Sequence, residues 1–252
     1  MSGMQATETR RILTTSDSVT LSSRSWLQEQ TTAAVVLVHG FTSSADHPQV
    51  VALAEALHGQ GLEVISYDSR GHGTSTGEST LGDLERHDVA IAVEAARERS
   101  ETVVVVGASM GAIAALRYAV TDDELAGTVI VSCPADWRLP RNPQGLLAAV
   151  MTRTAVGRAI VSRLLHVQIA PEWDRPEPPV DLAARVRGPL AIVHGDADSF
   201  IPPSDAHELH GRTTAPARLR IVSDMGHAFQ PASIDEVVDS VAWILGKSRI
   251  PA

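Results

Sequence analysis

Short apolar runs along the chain alternate with longer stretches in which apolar residues recur at helical spacing. Residues 103–106 are four consecutive valines, and an apolar run without alternation is typical of a strand buried on both faces of a parallel sheet. Between residues 81 and 98 the apolar positions fall on one helical face, which predicts a helix packed on such a sheet. This pattern predicts an α/β fold with a mostly parallel central sheet and helices on both of its faces.

The same patterns place the individual elements along the chain. Strands are predicted at residues 12–15, 19–26, 33–38, 62–67, 103–106, 127–132, 190–194 and 218–222. Helices are predicted at residues 50–57, 81–98, 112–119, 204–211 and 234–245. The first two strands flank the turn-forming cluster Ser16-Asp17-Ser18, so they are expected to form an antiparallel hairpin at a sheet edge.

The alternation of strands and helices stops between residues 134 and 188. This segment has apolar stretches at 146–150 and 159–167, a proline-rich stretch at 171–179 and no clear strand pattern. A long excursion inside a compact domain is usually functional, and this one leaves the carboxyl end of a strand. We therefore expect residues 134–188 to form an inserted helical cap, or lid, on a core built from residues 1–133 and 189–252.

Composition and charge narrow the choice of partners and compartment. The 252 residues carry a net charge of −9, which argues against a nucleic acid or an anionic membrane surface as partner and fits a small-molecule substrate. Cys133 is the single cysteine, so an internal disulfide and a cysteine-rich zinc site are excluded. Residues 1–11 lack the apolar run of a signal peptide, and no 18 uncharged apolar residues occur in succession. We expect a cytoplasmic protein without integral membrane association; no pattern indicates a particular oligomeric state.

Residues 107–111 read Gly-Ala-Ser-Met-Gly and connect the valine strand to the helix that follows it. Glycine on both sides of Ser109 removes the β-carbons that would clash where a strand and the next helix crowd together. The serine itself can then be held exposed on a strained turn. A tight turn with a capping serine would read the same way, but strand before and helix after are the context of the Gly-x-Ser-x-Gly nucleophile elbow.

A nucleophilic serine needs an imidazole to take its proton and a carboxylate to orient that imidazole. Two loops beyond the elbow leave buried strands at the carboxyl edge of the predicted sheet, where catalytic groups converge. One loop carries Asp196 and Asp198, and the next carries His227 after a glycine. Serine, aspartate and histidine therefore follow one another along the chain in the order expected after a nucleophile elbow.

At this point the chain resembles the α/β-hydrolase superfamily from about residue 12 to residue 245. The sequences His39-Gly40-Phe41, Arg70-Gly71-His72-Gly73 and Ser109-Met110-Gly111, together with the two late loops, look most like its monoacylglycerol-lipase-like and serine-aminopeptidase-like branches. Ala112 departs from the pattern, because many relatives carry a second glycine there.

The resemblance implies specific roles for five residues. Ser109 would be the nucleophile, His227 the base and Asp198 the acid, because the family pattern places the acid three residues after the glycine of its loop. Asp196, in the same loop, is the competing candidate for the acid. The oxyanion hole would be formed by the backbone N–H groups of Phe41 and Met110. No metal-ligand spacing occurs, and the implied reaction needs no cofactor.

Other polar residues near these motifs are expected to be structural. His39 and His72 lie in loops where they can hydrogen-bond neighbouring backbone groups, and we expect them to shape those loops. Arg70 is interpreted in the same way, although Asp68 and Arg70 near the entrance of the site stay open as functional residues.

These residues predict a serine hydrolase that forms an acyl-enzyme at Ser109, and the first choice of substrate is a carboxylic ester with a small to medium uncharged acyl or alkyl group. A serine at the elbow argues against dehalogenase and epoxide-hydrolase chemistry, because relatives with those activities carry an aspartate there. Thioesterase, amidase or aminopeptidase, and carbon–carbon bond hydrolase activities stay open on the same triad. A non-enzymatic binding module is the alternative from a different class.

The cap is the segment that bears on the substrate. Its apolar side chains are expected mainly to hold the cap together and onto the core, with some of them lining a pocket above Ser109 that favours an uncharged group. They are Trp137, Leu139, Leu146, Leu147, Val150, Met151, Val156, Ile160, Leu164, Leu165, Val167 and Ile169. The aminopeptidase alternative depends on Glu172, Asp174 and Glu177, whose carboxylates would hold a substrate ammonium group.

Overall fold

The chain is described by a computed structural model over residues 7–137, 143–172 and 176–248. The strands of its central sheet are β1 (Thr7–Thr14), β2 (Thr20–Leu27), β3 (Ala34–Val38), β4 (Glu63–Tyr67), β5 (Val103–Ala108), β6 (Gly127–Val131), β7 (Leu190–Gly195) and β8 (Ala217–Val222). They lie in the order β1-β2-β4-β3-β5-β6-β7-β8. β1 and β2 form the predicted edge hairpin, β2 pairs antiparallel with β4, and every other neighbouring pair is parallel.

The five helices that the sequence pattern predicts outside residues 134–188 are all present. Within the described residues they are α1 (Pro48–His58), α2 (Glu85–Arg97), α3 (Met110–Ala119), α4 (Pro143–Arg153), α5 (Ala155–Leu165), α6 (Pro179–Ala183), α7 (Pro203–Arg212) and α8 (Ile234–Ser248). None of the helices described is long and apolar enough to cross a bilayer.

The valines of β5 show why an unbroken apolar run was needed at the centre of the sheet. Val103 and Val105 pack into one cluster with side chains of α2, α3 and α7. Val104 and Val106 point to the opposite face and pack with side chains of α1 and α8. Both faces of the sheet are therefore covered by helices, and the predicted α/β architecture is confirmed.

Helix α2 begins at Glu85, four residues later than the apolar pattern predicted. The carboxylate of Glu85 is buried and accepts hydrogen bonds from Thr80 N–H at 2.9 Å, Gly82 N–H at 2.9 Å and the hydroxyl of Ser79 at 2.7 Å. Leu81 has φ +58° and Gly82 has φ +106°. The chain thus wraps around the carboxylate as a loop, which leaves no room for a helical turn before Glu85.

The segment predicted as a cap contains α4, α5 and α6, and residues 138–142 and 173–175 lie outside the described residues. An isolated parallel β-bridge pairs Ile169 of this segment with Ser79: Ser79 N–H donates to Gln168 O at 2.7 Å, and Ala170 N–H donates to Ser79 O at 2.9 Å. Helix α6, which the sequence pattern did not predict, packs Val180 and Leu182 into the same cluster as the sheet. The division into a cap at 134–188 and a core stays a prediction.

Candidate active site

Ser109 lies on a strained turn between β5 and α3. Its φ is +52° and its ψ is −115°, a conformation that L-residues rarely adopt. Its N–H donates to Val131 O on the neighbouring strand at 2.9 Å, and its carbonyl accepts from Ala112 N–H at 3.0 Å. A β-carbon on Gly107 would lie 2.6 Å from the carbonyl carbon of Gly111, so the glycines are required by close backbone approach, as predicted.

Three of the predicted residues form one hydrogen-bonded chain. His227 Nε2 lies 3.0 Å from Ser109 Oγ, and His227 Nδ1 lies 2.8 Å from Asp198 Oδ2. An ionised carboxylate only accepts hydrogen bonds, so Nδ1 carries the ring proton and donates it to Asp198. The lone pair of Nε2 is then free to accept the hydroxyl proton of Ser109.

The carboxylate of Asp198 is buried and fixed by its own loop. Its Oδ1 accepts from Phe200 N–H and from Ile201 N–H, each at 2.9 Å. Burial alone would raise the pKa of Asp198, but the hydrogen bonds from His227 and from these two N–H groups hold that pKa below its ordinary value. Asp198 is therefore an ionised acceptor at neutral pH.

The competing aspartate lies elsewhere. Asp196 Oδ1 accepts from Asp224 N–H at 2.8 Å, and its side chain is exposed at the turn after β8. The structure thus brings Asp198, and not Asp196, into contact with His227.

The two predicted oxyanion-hole residues flank the elbow. Met110 is the first residue of α3, and the first N–H groups of a helix have no acceptor within it. A β-carbon on Gly40 would lie 3.4 Å from Ser109 Cβ, so the loop that carries Phe41 packs directly against the elbow. Phe41 and Met110 both line the cavity that reaches Ser109.

His39 fixes the loop that carries Phe41 through two hydrogen bonds of its ring. Ser69 N–H donates to His39 Nε2 at 3.0 Å, so the ring proton sits on Nδ1, which donates to Gly40 O at 2.8 Å. The ring is fully buried, and burial lowers the pKa of His39 to about 3. His39 is therefore neutral and shapes this loop by hydrogen bonding, as predicted.

Asp68 and Arg70, which the sequence left open, are also held by structural contacts. Asp68 accepts from Ala45 N–H at 2.9 Å and from Thr74 N–H at 3.3 Å, and it thereby joins two loops. The buried guanidinium of Arg70 pairs with Asp88 and with Asp17, both at 2.8 Å. Neither side chain lines the cavity at Ser109.

Ser132 is a residue that the sequence analysis missed. It follows β6, it is fully buried and its φ is +48°. Its hydroxyl oxygen accepts from Ala228 N–H at 3.1 Å, so it anchors the loop immediately after His227. Its place at the carboxyl end of a predicted strand is the only signal in the sequence that could have drawn attention to it.

Two cavities meet at Ser109, and Phe41 borders both. The larger has a volume of about 430 Å³ and extends under the cap. It is lined by Phe41, Ser79, Thr80, Leu81, Ser109, Met110, Ile113, Pro134, Asp136, Trp137, Ala148, Thr152, Arg153, Arg158, Ile169, Ala170, Pro171 and Ile201. The smaller has a volume of about 190 Å³ and is lined by residues 40–43, His47, Gln49, Val50, Ser109 and residues 227–229.

The apolar cap residues were expected mainly to pack within the cap and onto the core, with some of them lining the pocket; the packing was wrong for seven of them, and two line the pocket. Of the described residues in that prediction only Trp137 and Ile169 line the larger cavity, and Leu139 lies outside the described residues. Seven of the predicted apolar side chains, all on α4 and α5, face solvent instead: Leu146 is 68% exposed and Val156 is 72% exposed. The other exposed members are Leu147, Val150, Ile160, Leu164 and Leu165.

Two of the three carboxylates of the aminopeptidase alternative belong to described residues, and both lie away from the two cavities. Glu172 is exposed, and Glu177 pairs with Arg185 on the surface; neither lines a cavity at Ser109. Asp174 lies outside the described residues. Across the described ranges, no group of three or more histidine, cysteine, aspartate or glutamate side chains is arranged to hold a metal ion.

Comparison with known proteins agrees with this architecture. Residues 29–173 match the family model Hydrolase_4, described as "Serine aminopeptidase, S33". A solved structure of the Pyrococcus furiosus esterase Pf2001 superimposes with a TM-score of 0.74 at 24% identity, covering 96% of this chain and 93% of that one. A malate-bound esterase from Thermogutta terrifontis superimposes with a TM-score of 0.67 at 20% identity, covering 96% and 100%. These similarities show a shared fold.

The curated relatives match this chain over only part of their own length. The uncharacterized protein YqkD of Bacillus subtilis is 25% identical over 215 residues, covering 77% of this chain and 64% of its own length. An uncharacterized abhydrolase domain-containing protein of Dictyostelium discoideum is 25% identical over 254 residues, covering 85% of this chain and 26% of its own length. The chain thus spans less than two thirds of the length of these relatives.

Proposed function

The chain belongs to the serine aminopeptidase (S33) family of α/β-hydrolase enzymes, and on that premise we propose that it is a serine carboxylesterase. The observation that carries the proposal is the hydrogen-bonded chain from Asp198 through His227 to Ser109, which ends in a cavity of about 430 Å³. A cavity of this size accommodates a small to medium acyl group.

In the proposed mechanism His227 Nε2 takes the hydroxyl proton of Ser109 while Oγ attacks the carbonyl carbon of the ester. The negative charge that develops on the carbonyl oxygen is stabilised by the N–H groups of Phe41 and Met110. The intermediate collapses when the alcohol oxygen leaves with the proton from His227, and an acyl group remains on Ser109. Water that loses a proton to Nε2 then attacks this acyl-enzyme, and the acid is released as Ser109 regains its proton.

Asp198 takes no proton in this scheme. Its hydrogen bond to Nδ1 keeps the lone pair of His227 on the side of Ser109 and stabilises the imidazolium that forms in each step. The depressed pKa of Asp198 supports this role, because an ionised carboxylate is needed throughout.

The two cavities suggest where each half of the ester lies. His227 borders the smaller cavity and not the larger one. Because His227 must protonate the departing alcohol, the alcohol is proposed to occupy the smaller cavity and the acyl group the larger one. Met110, Ile113 and Ile201 line the larger cavity near Ser109, so the acyl chain next to the ester bond is proposed to be an uncharged hydrocarbon.

The choice between ester and aminoacyl substrates is tested with a fixed leaving group. We expect kcat/KM on a neutral p-nitrophenyl acyl ester to exceed that on the aminoacyl p-nitrophenyl ester of similar size, and to exceed that on aminoacyl p-nitroanilides by at least about a hundredfold. A clear preference for the free-amino acyl group in the matched pair, lost in Glu172→Gln or Glu177→Gln, would replace the esterase proposal with an aminopeptidase.

A further inference from the structure

The arginines of this chain fall into two sets. In the described ranges, every arginine outside α4 and α5 has a carboxylate oxygen within 4.0 Å. Arg153, Arg158 and Arg163, on α4 and α5, have no such partner among the described residues. A chain with a net charge of −9 offers many carboxylates, so three neighbouring arginines without one are an unusual arrangement.

Two of these three arginines face the cavity that contains Ser109. Arg153 and Arg158 line it, whereas Arg163 does not. In the described lining Asp136 carries the only carboxylate, and its Oδ1 accepts from Trp137 N–H at 2.6 Å. The cap end of the cavity therefore has an excess of positive charge over an otherwise largely apolar lining.

The corner between α4 and α5 fixes where this pair is presented. The hydroxyl of Thr154 donates to Val150 O at 2.8 Å and accepts from Gly157 N–H at 3.0 Å. A β-carbon on Gly157 would lie 2.6 Å from Met151 Cα, so the two helices approach as closely as glycine allows. Arg153, at the end of α4, and Arg158, in the first turns of α5, are thus held on the two sides of one hydrogen-bonded turn along the chain.

We propose that Arg153 and Arg158 bind a carboxylate at the far end of the acyl chain, so that the preferred substrates are esters of ω-carboxy acids. This inference rests on the proposed esterase function and refines its substrate class. A guanidinium stays charged at any relevant pH and offers a planar set of donors that matches the two oxygens of a carboxylate. The uncharged part of the acyl chain then occupies the apolar lining between Ser109 and the arginine pair.

The mixed lining of the cavity fits an ω-carboxy acyl chain better than it fits a wholly apolar acyl chain. A chain ending in a methyl group would leave Arg158, which is half-buried, without a partner and partly dehydrated. A carboxylate at the same place would supply the missing counter-charge and charge-assisted hydrogen bonds.

The test uses p-nitrophenyl monoesters of adipate, suberate and sebacate, each compared with the same ester bearing an ω-carboxamide. Chains shorter than adipoyl are avoided because their own carboxylate attacks the ester. For at least one chain length we expect the wild-type kcat/KM to favour the carboxylate about tenfold or more over the isosteric carboxamide, mainly through KM. Raising the salt concentration should reduce this ratio.

Variants then assign the preference to particular side chains. Arg153→Gln and Arg158→Gln should each lower the carboxylate-to-carboxamide ratio severalfold, because the carboxylate loses a charged partner that the carboxamide never had, and Arg158→Lys should retain part of the preference. Arg163→Gln is the matched control, because it removes the same charge from α5 outside the cavity, and it should leave the ratio unchanged.

The outcomes separate this inference from the esterase proposal. Hydrolysis of both esters with no carboxylate preference at any chain length, or an equal loss of preference in Arg163→Gln, would overturn the carboxylate site and leave the esterase intact. Absence of hydrolysis of every ester would overturn the esterase instead. In that case calorimetric titration with the ω-carboxy methyl ketone of each chain decides the inference: binding that weakens in Arg158→Gln supports the site, and no binding to the wild type overturns it.

Discussion

Gly111 in α3 packs against the backbone of His39, at the carboxyl end of β3, so closely that a β-carbon on Gly111 would lie 2.6 Å from the carbonyl oxygen of His39. This contact sets the distance between the N-terminus of α3 and the loop that carries Phe41. The two N–H groups proposed to stabilise the oxyanion, those of Phe41 and Met110, belong to these two packed segments. The geometry of the proposed oxyanion hole therefore depends on a residue that has no side chain.

Gly111→Ala should be destabilising and should abolish ester turnover. Replacing glycine by alanine inside a helix ordinarily stabilises it by about 0.5–1 kcal/mol, but here the methyl group would overlap a backbone oxygen that cannot move freely. Gly246→Ala is the control, because Gly246 lies in α8 with open space around it and should give the ordinary gain. Urea unfolding and p-nitrophenyl ester assays on both variants check this; a stable, active Gly111→Ala protein would contradict the packing argument.

Asp198→Asn should lower kcat by about a thousandfold or more, because an amide in place of the carboxylate leaves His227 in the wrong tautomer and without its counter-charge. Asp196→Asn should keep most of the activity, since its carboxylate caps the N–H of Asp224 instead. Steady-state kinetics of the two variants are compared. The reverse ranking would move the acid to Asp196, and equally mild effects would remove both from the mechanism.

Ser132 should act as a positioning residue for His227. Ser132→Ala removes the acceptor of Ala228 N–H and is expected to lower kcat about tenfold with little change in KM, because the imidazole loses part of its orientation. Ser132→Gly removes the same acceptor but relieves the backbone strain of a residue at φ +48°. Both variants should lose activity to a similar degree. Ser132→Gly should be more stable than Ser132→Ala, because glycine adopts this backbone conformation without strain. Full activity in both would show that the hydroxyl does not position His227.

Buried histidines should make the free energy of unfolding fall as the pH is lowered from 7 to 5. Burial lowers the pKa of His39 to about 3, and it also lowers the pKa values of His72 and His194. Below the ordinary pKa of about 6.5 the unfolded chain binds a proton at His39 that the folded chain does not, at about 1.4 kcal/mol per pH unit, and the lowered pKa values of His72 and His194 act in the same direction. Urea unfolding at several pH values measures this slope.

His39→Gln is the matched variant for the pH experiment, because a glutamine amide can donate and accept hydrogen bonds but does not titrate. Its unfolding free energy should fall less steeply between pH 6.5 and pH 5, by about 1.4 kcal/mol per pH unit. An unchanged slope in this variant, or a wild-type stability that rises on acidification, would contradict the assignment of a neutral buried His39.

The core of the fold could be predicted from the sequence because each of its strands carries a local signal. The four valines at 103–106 can be accommodated only where both faces are covered, and Ser16-Asp17-Ser18 requires a turn between two strands. The elbow and the two late loops could be placed because the carboxyl ends of parallel strands share one edge. The contact of Asp198 and Ser109 with His227 follows from that placement, while their catalytic roles stay predictions.

The cap could be predicted as helical but not in its orientation. An apolar stripe such as Leu146 to Val150 shows which side chains share a helical face, yet it does not show whether that face meets the core or the solvent. The sequence analysis singled out neither Arg153 nor Arg158, and their place in the lining of the cavity is known only from the structure. Helix α6 was missed because Pro178 and Pro179 suggest a loop, although proline is tolerated at the first helical position.

The most direct test of the central claim is covalent labelling of Ser109. Intact-mass spectrometry after treatment with a fluorophosphonate should show one adduct per wild-type chain, located at Ser109 by peptide mapping, with loss of esterase activity in proportion to labelling. Ser109→Ala should fold with unchanged secondary structure, bind no label and hydrolyse no ester above background. Labelling at another residue, or ester hydrolysis that persists in Ser109→Ala, would contradict the account.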